Sequence, residues 1–346
     1  IDAALSGGPS IPFRDAVGHG TTTSGIPTGN GRNVAKYRGV APEATIISVK
    51  VTSDGAPAHD GEAAEAAFYD PARLPLAIDF VKSKAQELGL PAVMLLNLGS
   101  SGGPTDGTSD LARKIDATVG PGIPGLVFVT GPGDDGGMAN RAGGNVGAGA
   151  TETIRIQKGG TGTLTFDLWY PGTDRFDVTI QTPTATYGPY VSPASNADAA
   201  TVTTSEFLYY QLGSSRAFWS PQNGKREVWI RITGAPGVYT VSLRGATVTT
   251  GRFDATLNPS MKFNASNANF FLDHVAPGSI WDGATARNNI CPGDYVIRTS
   301  YVDIDGFQRT ITGQGSIGEI WFSAPEEDAE GIEEAKAVIE SFRAPD

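Results

Sequence analysis

The chain has 346 residues, which at roughly 100–200 residues per domain is enough for two or three domains with apolar cores. Apolar residues make up 39% and charged residues 18%, a globular composition and not a disordered one. A formal net charge of −11 repels nucleic acid and anionic membrane surfaces, and no apolar run approaches the ~18 residues a bilayer span needs, so both partner classes are set aside. The N-terminal run IDAALSGGPS has neither the basic start nor the apolar core of a signal peptide, and reads as the start of a processed or truncated chain. The single cysteine, Cys291, forbids an intramolecular disulfide and a Cys-ligated zinc site; within NNICPGDY it reads as a small buried residue. Few cysteines and 45 glycines fit a secreted or cell-surface protein.

Residues 1–150 alternate short apolar runs with helical spacing. Residues 44–51 (ATIISVKV), 93–98 (VMLLNL) and 125–129 (GLVFV) read as buried strands. Residues 74–88, with Leu76, Ile78, Phe80 and Val81 at helical spacing, and residues 109–119 read as helices. Continuous apolar strands separated by helices imply a parallel sheet covered on both faces. From 151 to 257 the texture changes to alternating strands broken by GGTG, PGTD and GAPG, which predicts an antiparallel β-sandwich or jelly roll. The α/β texture returns over 258–325. Residues 326–346 are expected to form an acidic helix carrying Ile332, Ala335, Val338, Ile339 and Phe342 on one face, which should dock onto the body.

Residues 18–51 read GHGTTTSGIPTGNGRNVAKYRGVAPEATIISVKV. This run resembles the catalytic-histidine segment of the subtilisin-like serine proteases (subtilases, peptidase S8). The resemblance implies a three-layer α/β parallel sheet, with residues 151–257 as an inserted jelly-roll domain. It makes His19 the general base and then general acid of a catalytic triad. Ile1-Asp2-Ala3-Ala4-Leu5 is either a degenerate form of the triad-aspartate motif, with Asp2 as the carboxylate, or the text that follows such a motif. Asp15 reads as a loop carboxylate. Residues 93–99 resemble the strand that pairs with substrate backbone, so Asn97, Leu98, Gly99 and Ser100 are the implied peptide contacts.

Two departures weaken the catalytic reading. The run 126–137 (LVFVTGPGDDGG) resembles the segment that carries the oxyanion-hole asparagine, but Asp134 stands at that position. An ionised carboxylate accepts hydrogen bonds and repels an oxyanion, and loss of one such donor lowers turnover about 10²–10³-fold. No Gly-Thr-Ser-Met-Ala-x-Pro nucleophile motif occurs in residues 1–346, and Ser260 in NPSMKFN lacks its small-residue context. Ser100 or Ser101 remains as a substitute nucleophile. The functions weighed are a peptide- or protein-binding pseudoprotease, a peptide or ester hydrolase whose nucleophile comes from another segment or residue, and a secreted adhesion module. The last would use Trp169, Tyr170, Tyr187, Tyr190, Tyr209, Tyr210 and Trp219 as a binding surface. No cofactor is expected; structural calcium is left open because no ligand set can be matched. His59 and His274 read as surface residues.

Overall fold

The structure, a computed structural model, describes residues 15, 18–32, 35, 38–53, 55, 57–58, 63–64, 66–69, 73–133, 135, 137–219, 223–258, 268–293, 300–302 and 308–310. They belong to two compact units, Ile1–Asn97 and Leu98–Asp346.

In the first unit, helix α1 spans His19–Thr28. Its Thr-rich sequence turns its hydroxyls back onto the preceding turn, where they are satisfied without leaving the helix: Thr22 Oγ1 donates to the Gly18 carbonyl at 2.8 Å, Thr23 to His19 at 3.0 Å and Thr28 to Ser24 at 2.7 Å. No residue of α1 is buried. The chain then turns back along the helix end, with Ala41 N–H donating to the Pro27 carbonyl at 2.8 Å. A Cβ on Gly39 would lie 2.5 Å from that same carbonyl oxygen, so this approach requires glycine.

Residues 44–51, expected as a buried strand, carry no strand pairing, and Ile46 is 57% exposed. An apolar run becomes a strand only when another strand completes its ladder. Here the ladder begins one residue later, where β1 (Thr52–Ser53) pairs antiparallel with β2 (Phe68–Tyr69). Helix α2, Arg73–Leu88, packs on strand β3, Ala92–Leu96. It buries Leu74, Ile78 and Ala85, while β3 buries Met94 and leaves Val93 and Leu95 exposed. Gly89, with φ of 64°, closes α2 as Leu90 N–H donates to the Ala85 carbonyl.

In the second unit, helix α3 spans Asp110–Thr118. Ser109 Oγ caps it by accepting from Ala112 N–H at 3.0 Å, and Asp110 complements the positive end of the helix dipole. Strand β4, Leu126–Thr130, makes a parallel bridge from Val129 to Ile290. The rest is mainly two antiparallel sheets. The first runs, in spatial order, β10 (Ala199–Thr203), β11 (Phe207–Leu212), β12 (Lys225–Ile232), β7 (Leu164–Pro171), β14 (Arg252–Asn258) and β5 (Arg141–Asn145). The second runs β15 (Phe270–Phe271), β6 (Thr151–Lys158), β13 (Gly237–Thr247), β8 (Arg175–Gln181) and β9 (Thr186–Tyr190).

The period-two pattern sets which side chains form the shared core. Phe166, Leu168 and Tyr170 of β7, Val228, Ile230 and Ile232 of β12, and Tyr239, Val241 and Leu243 of β13 all point into it. The opposite face of β7 and β12 is not left to solvent. Asp167, Trp169 and Glu227 on that face are also buried, and Gly103 N–H donates to Asp167 Oδ2 at 2.8 Å, which places the 98–109 loop over the sheet.

Candidate functional site

His19 is the first residue of α1 and is exposed. Asp15, expected as a loop carboxylate, caps this helix. Its Oδ1 accepts from Gly18 N–H at 2.9 Å and its Oδ2 from Thr21 N–H at 2.6 Å. It therefore satisfies two of the open N–H groups at the helix start and fixes the turn that presents His19. Gly18, in the left-handed region at φ 86°, lets the chain turn into the helix without a Cβ penalty. Asp2, Asp134, His59, Ser260 and the 326–346 segment lie outside the described residues.

The implied peptide-contacting run continues from β3. Asn97 and Gly99 are exposed, and Leu98 and Ser100 are half-buried. Within the second unit this run is tied down closely. Ser100 Oγ accepts from Gly102 N–H at 3.0 Å and from Asn258 Nδ2 at 3.2 Å, and the Ser100 carbonyl accepts from Asp282 N–H at 3.2 Å. Ser101 is 4% exposed and donates to Asp135 Oδ2 at 2.9 Å. Both hydroxyls serve local bonds, so neither has the features of an activated nucleophile.

A Gly107-Thr108-Ser109 triplet, which the sequence pattern does not single out, does precede a helix. Ser109 is 1% exposed, and its Oγ is both the cap of α3 and a hydrogen-bond partner of Asp282. It is a structural cap, not a reacting group. The 281–282 segment carries no sequence signal either. Trp281 N–H donates to the Pro132 carbonyl at 2.9 Å, and the indole lies against Gly99 and Gly133.

Three buried carboxyls lie under the 98–109 loop. Burial pushes Asp167 up to about 6, opposed by the hydrogen bond it accepts from Gly103 N–H and by the neighbouring Glu227 carboxyl. Burial, then the negative charge of Asp167, pushes Glu227 well above the usual carboxylate range. The hydrogen bond between them favours the proton on Glu227 and the charge on Asp167. Asp282 is pushed up to about 6, again by burial first, opposed by the Ser109 hydroxyl and Thr105 N–H. Among the described residues, no group of three or more His, Cys, Asp or Glu side chains is arranged to hold a metal ion. A cavity of about 280 Å³ beside this cluster is lined by charges that pair with one another: Arg141 with Asp254 at 2.8 Å, Arg252 with Asp254 at 2.9 Å, and Lys225 with Asp106.

The aromatic residues considered as an adhesion surface are packed. Trp169, Tyr170 and Tyr209 are buried, and Tyr187 and Tyr190 lie against the core. Tyr210 joins an edge-on cluster with Phe218 and Trp229, and the Trp219 ring lies against Gly102. His274 is partly exposed, with 25% of its side chain open to solvent and its ring edge-on against Phe253. Cys291 is half-buried, with burial pushing its thiol up. No helix among the described residues is long and apolar enough to cross a membrane.

A histidine opening a carboxylate-capped helix and the Tyr-Arg-Gly-Val-Ala-Pro-Glu-Ala text behind it point to the subtilisin-like class. The family model described as the subtilase family, Peptidase S8, matches residues 4–188, more than half of the 346 residues, and the chain belongs to that family. Among solved structures, the chain resembles the CspB protease of Clostridium perfringens with a TM-score of 0.61 at 22% identity, over 83% of this chain and 57% of that one. The chain thus spans less than two thirds of the length of that protease. A search of curated proteins gave no match.

Proposed function

We propose that residues 1–346 form the peptide-binding part of a subtilase scaffold, and that on their own they bind extended peptide without turning it over. In this reading the α/β segments form the family's three-layer parallel sheet and the two antiparallel sheets an inserted jelly-roll domain. The peptide adds alongside the run from Asn97 to Ser100, where main-chain hydrogen bonds supply affinity and side-chain space supplies selectivity. One observation carries the proposal. The run is open at Asn97 and Gly99, while the hydroxyls of Ser100, Ser101 and Ser109 are each engaged in holding the fold.

A second reading is favoured by the partial span of the structural neighbour. Here the protein is a serine-type hydrolase of peptides or esters, with the nucleophile supplied by a segment outside these residues and His19 as its general base. A secreted or cell-surface location fits either reading. The test is labelling with a fluorophosphonate serine reagent, together with turnover of a generic peptide and an ester. No stoichiometric labelling is expected, and no turnover beyond that of His19→Ala. Labelling that disappears in His19→Ala would mean that a serine within these residues is activated.

A further inference from the structure

The space between the backbone runs 98–103 and 130–133 is filled by a side chain of the protein itself, Trp281, which packs between Gly99 and Gly133. Trp281 N–H donates to the Pro132 carbonyl at 2.9 Å, and the next residue, Asp282, donates from its N–H to the Ser100 carbonyl at 3.2 Å. Consecutive residues therefore lace the two runs together. The indole follows the same path. A Cβ on Gly99 would lie 2.6 Å from Trp281 Cε3, and a Cβ on Gly133 would lie 2.6 Å from Trp281 Nε1. The ring rests directly on backbone at both walls, in space that only glycine leaves free. Gly133 also sits at φ 107°, which only glycine adopts readily. Asp282 anchors the segment from below. Its Oδ1 accepts from Thr105 N–H at 3.1 Å, and its carboxyl packs on Gly103. Trp281 is only half-buried, and Gly99 beside it is exposed.

We propose that Trp281 forms the floor of a side-chain subsite between Gly99 and Gly133, and that this subsite accepts only the small residues glycine, alanine and serine of a bound peptide. The inference rests on the peptide-binding reading above and adds its selectivity. A pocket filled by an indole has no depth for a leucine or phenylalanine side chain, and a bulky residue there must displace the ring together with its main-chain bonds. Apolar pockets discriminate about 10–200-fold per methylene when the fit is wrong, so the effect is measurable.

The experiment is a phenylalanine scan. A blocked hexa-alanine peptide and its six single Ala→Phe versions are titrated against the wild-type chain, Trp281→Ala and Trp281→Leu. Wild type is expected to bind one scan peptide at least ~10-fold more weakly than the parent. Trp281→Ala is expected to bind that peptide at least as tightly as the parent, with Trp281→Leu in between. The wild-type scan needs no variant, so misfolding of Trp281→Ala does not leave the question open. Binding that is indifferent to phenylalanine at every position overturns the inference and leaves the peptide-binding reading standing. Equal weakening of every peptide by Trp281→Ala also overturns it, making the residue a general structural support. If no peptide binds any of the three proteins, the functional reading fails and the inference falls with it.

Discussion

Replacing Asp282 by asparagine should make the protein more stable at neutral pH, by an amount set by burial. The carboxyl is 4% exposed and is pushed from 3.8 up to about 6, mainly by desolvation. A carboxyl whose folded-state value exceeds its unfolded one contributes stability below the unfolded value, and loses it as pH rises through the folded value. For Asp282 that window runs from 3.8 to about 6. Above it the wild type carries a penalty of ~3 kcal/mol, at about 1.4 kcal/mol per pH step of the rise. Asparagine can still accept from Thr105 N–H through its oxygen and donate to Ser109 Oγ through its amide, while needing no proton. Urea unfolding should therefore find Asp282→Asn ~2–3 kcal/mol more stable relative to wild type at about pH 8 than at about pH 4. An Asp282→Asn effect that is the same at both pH values, or destabilisation that grows with pH, would refute the reasoning.

Glu227→Gln should show the same sign, because the amide still donates to Asp167 and removes the group that burial holds protonated; thermal unfolding at the same pH values checks this. Ser109→Ala should lower stability by ~1 kcal/mol through loss of the α3 cap, or more if the Asp282 carboxyl is left without its hydroxyl partner, as read by urea unfolding. Asp15→Ala should fray the first turn of α1 by ~1 kcal/mol of local stability, visible as faster amide hydrogen exchange at Gly18 and Thr21 with little change elsewhere.

The parts of the fold carried by local periodicity were legible in the sequence. The helices at 73–88 and 110–118 follow from apolar spacing and a serine cap, and the strands from 151 onward follow from alternation and turn chemistry. Residues 44–51 had equally strong apolar character yet form no strand, because pairing depends on a partner that a local pattern does not reveal. The histidine helix was legible because its text is long and specific. Asp15 was not legible as a cap because it sits four residues before His19, outside the usual N-cap position. The buried carboxyls were illegible for a topological reason. Asp167 and Glu227 alternate with core residues and so read as solvent-facing, and only the 98–109 loop folding over the sheet buries them. Trp281 likewise carries no sequence signal, since its role depends on Gly99 and Gly133, each far away along the chain.

The most direct test of the central claim is a titration of the purified chain against a fluorescent extended peptide, with anisotropy and cleavage product followed in the same sample. Saturable binding is expected, with intact peptide recovered at the end and no change in His19→Ala. Product that accumulates in wild type and vanishes in His19→Ala would contradict the claim that these residues alone do not turn peptide over. Flat anisotropy would contradict the claim that they bind peptide at all.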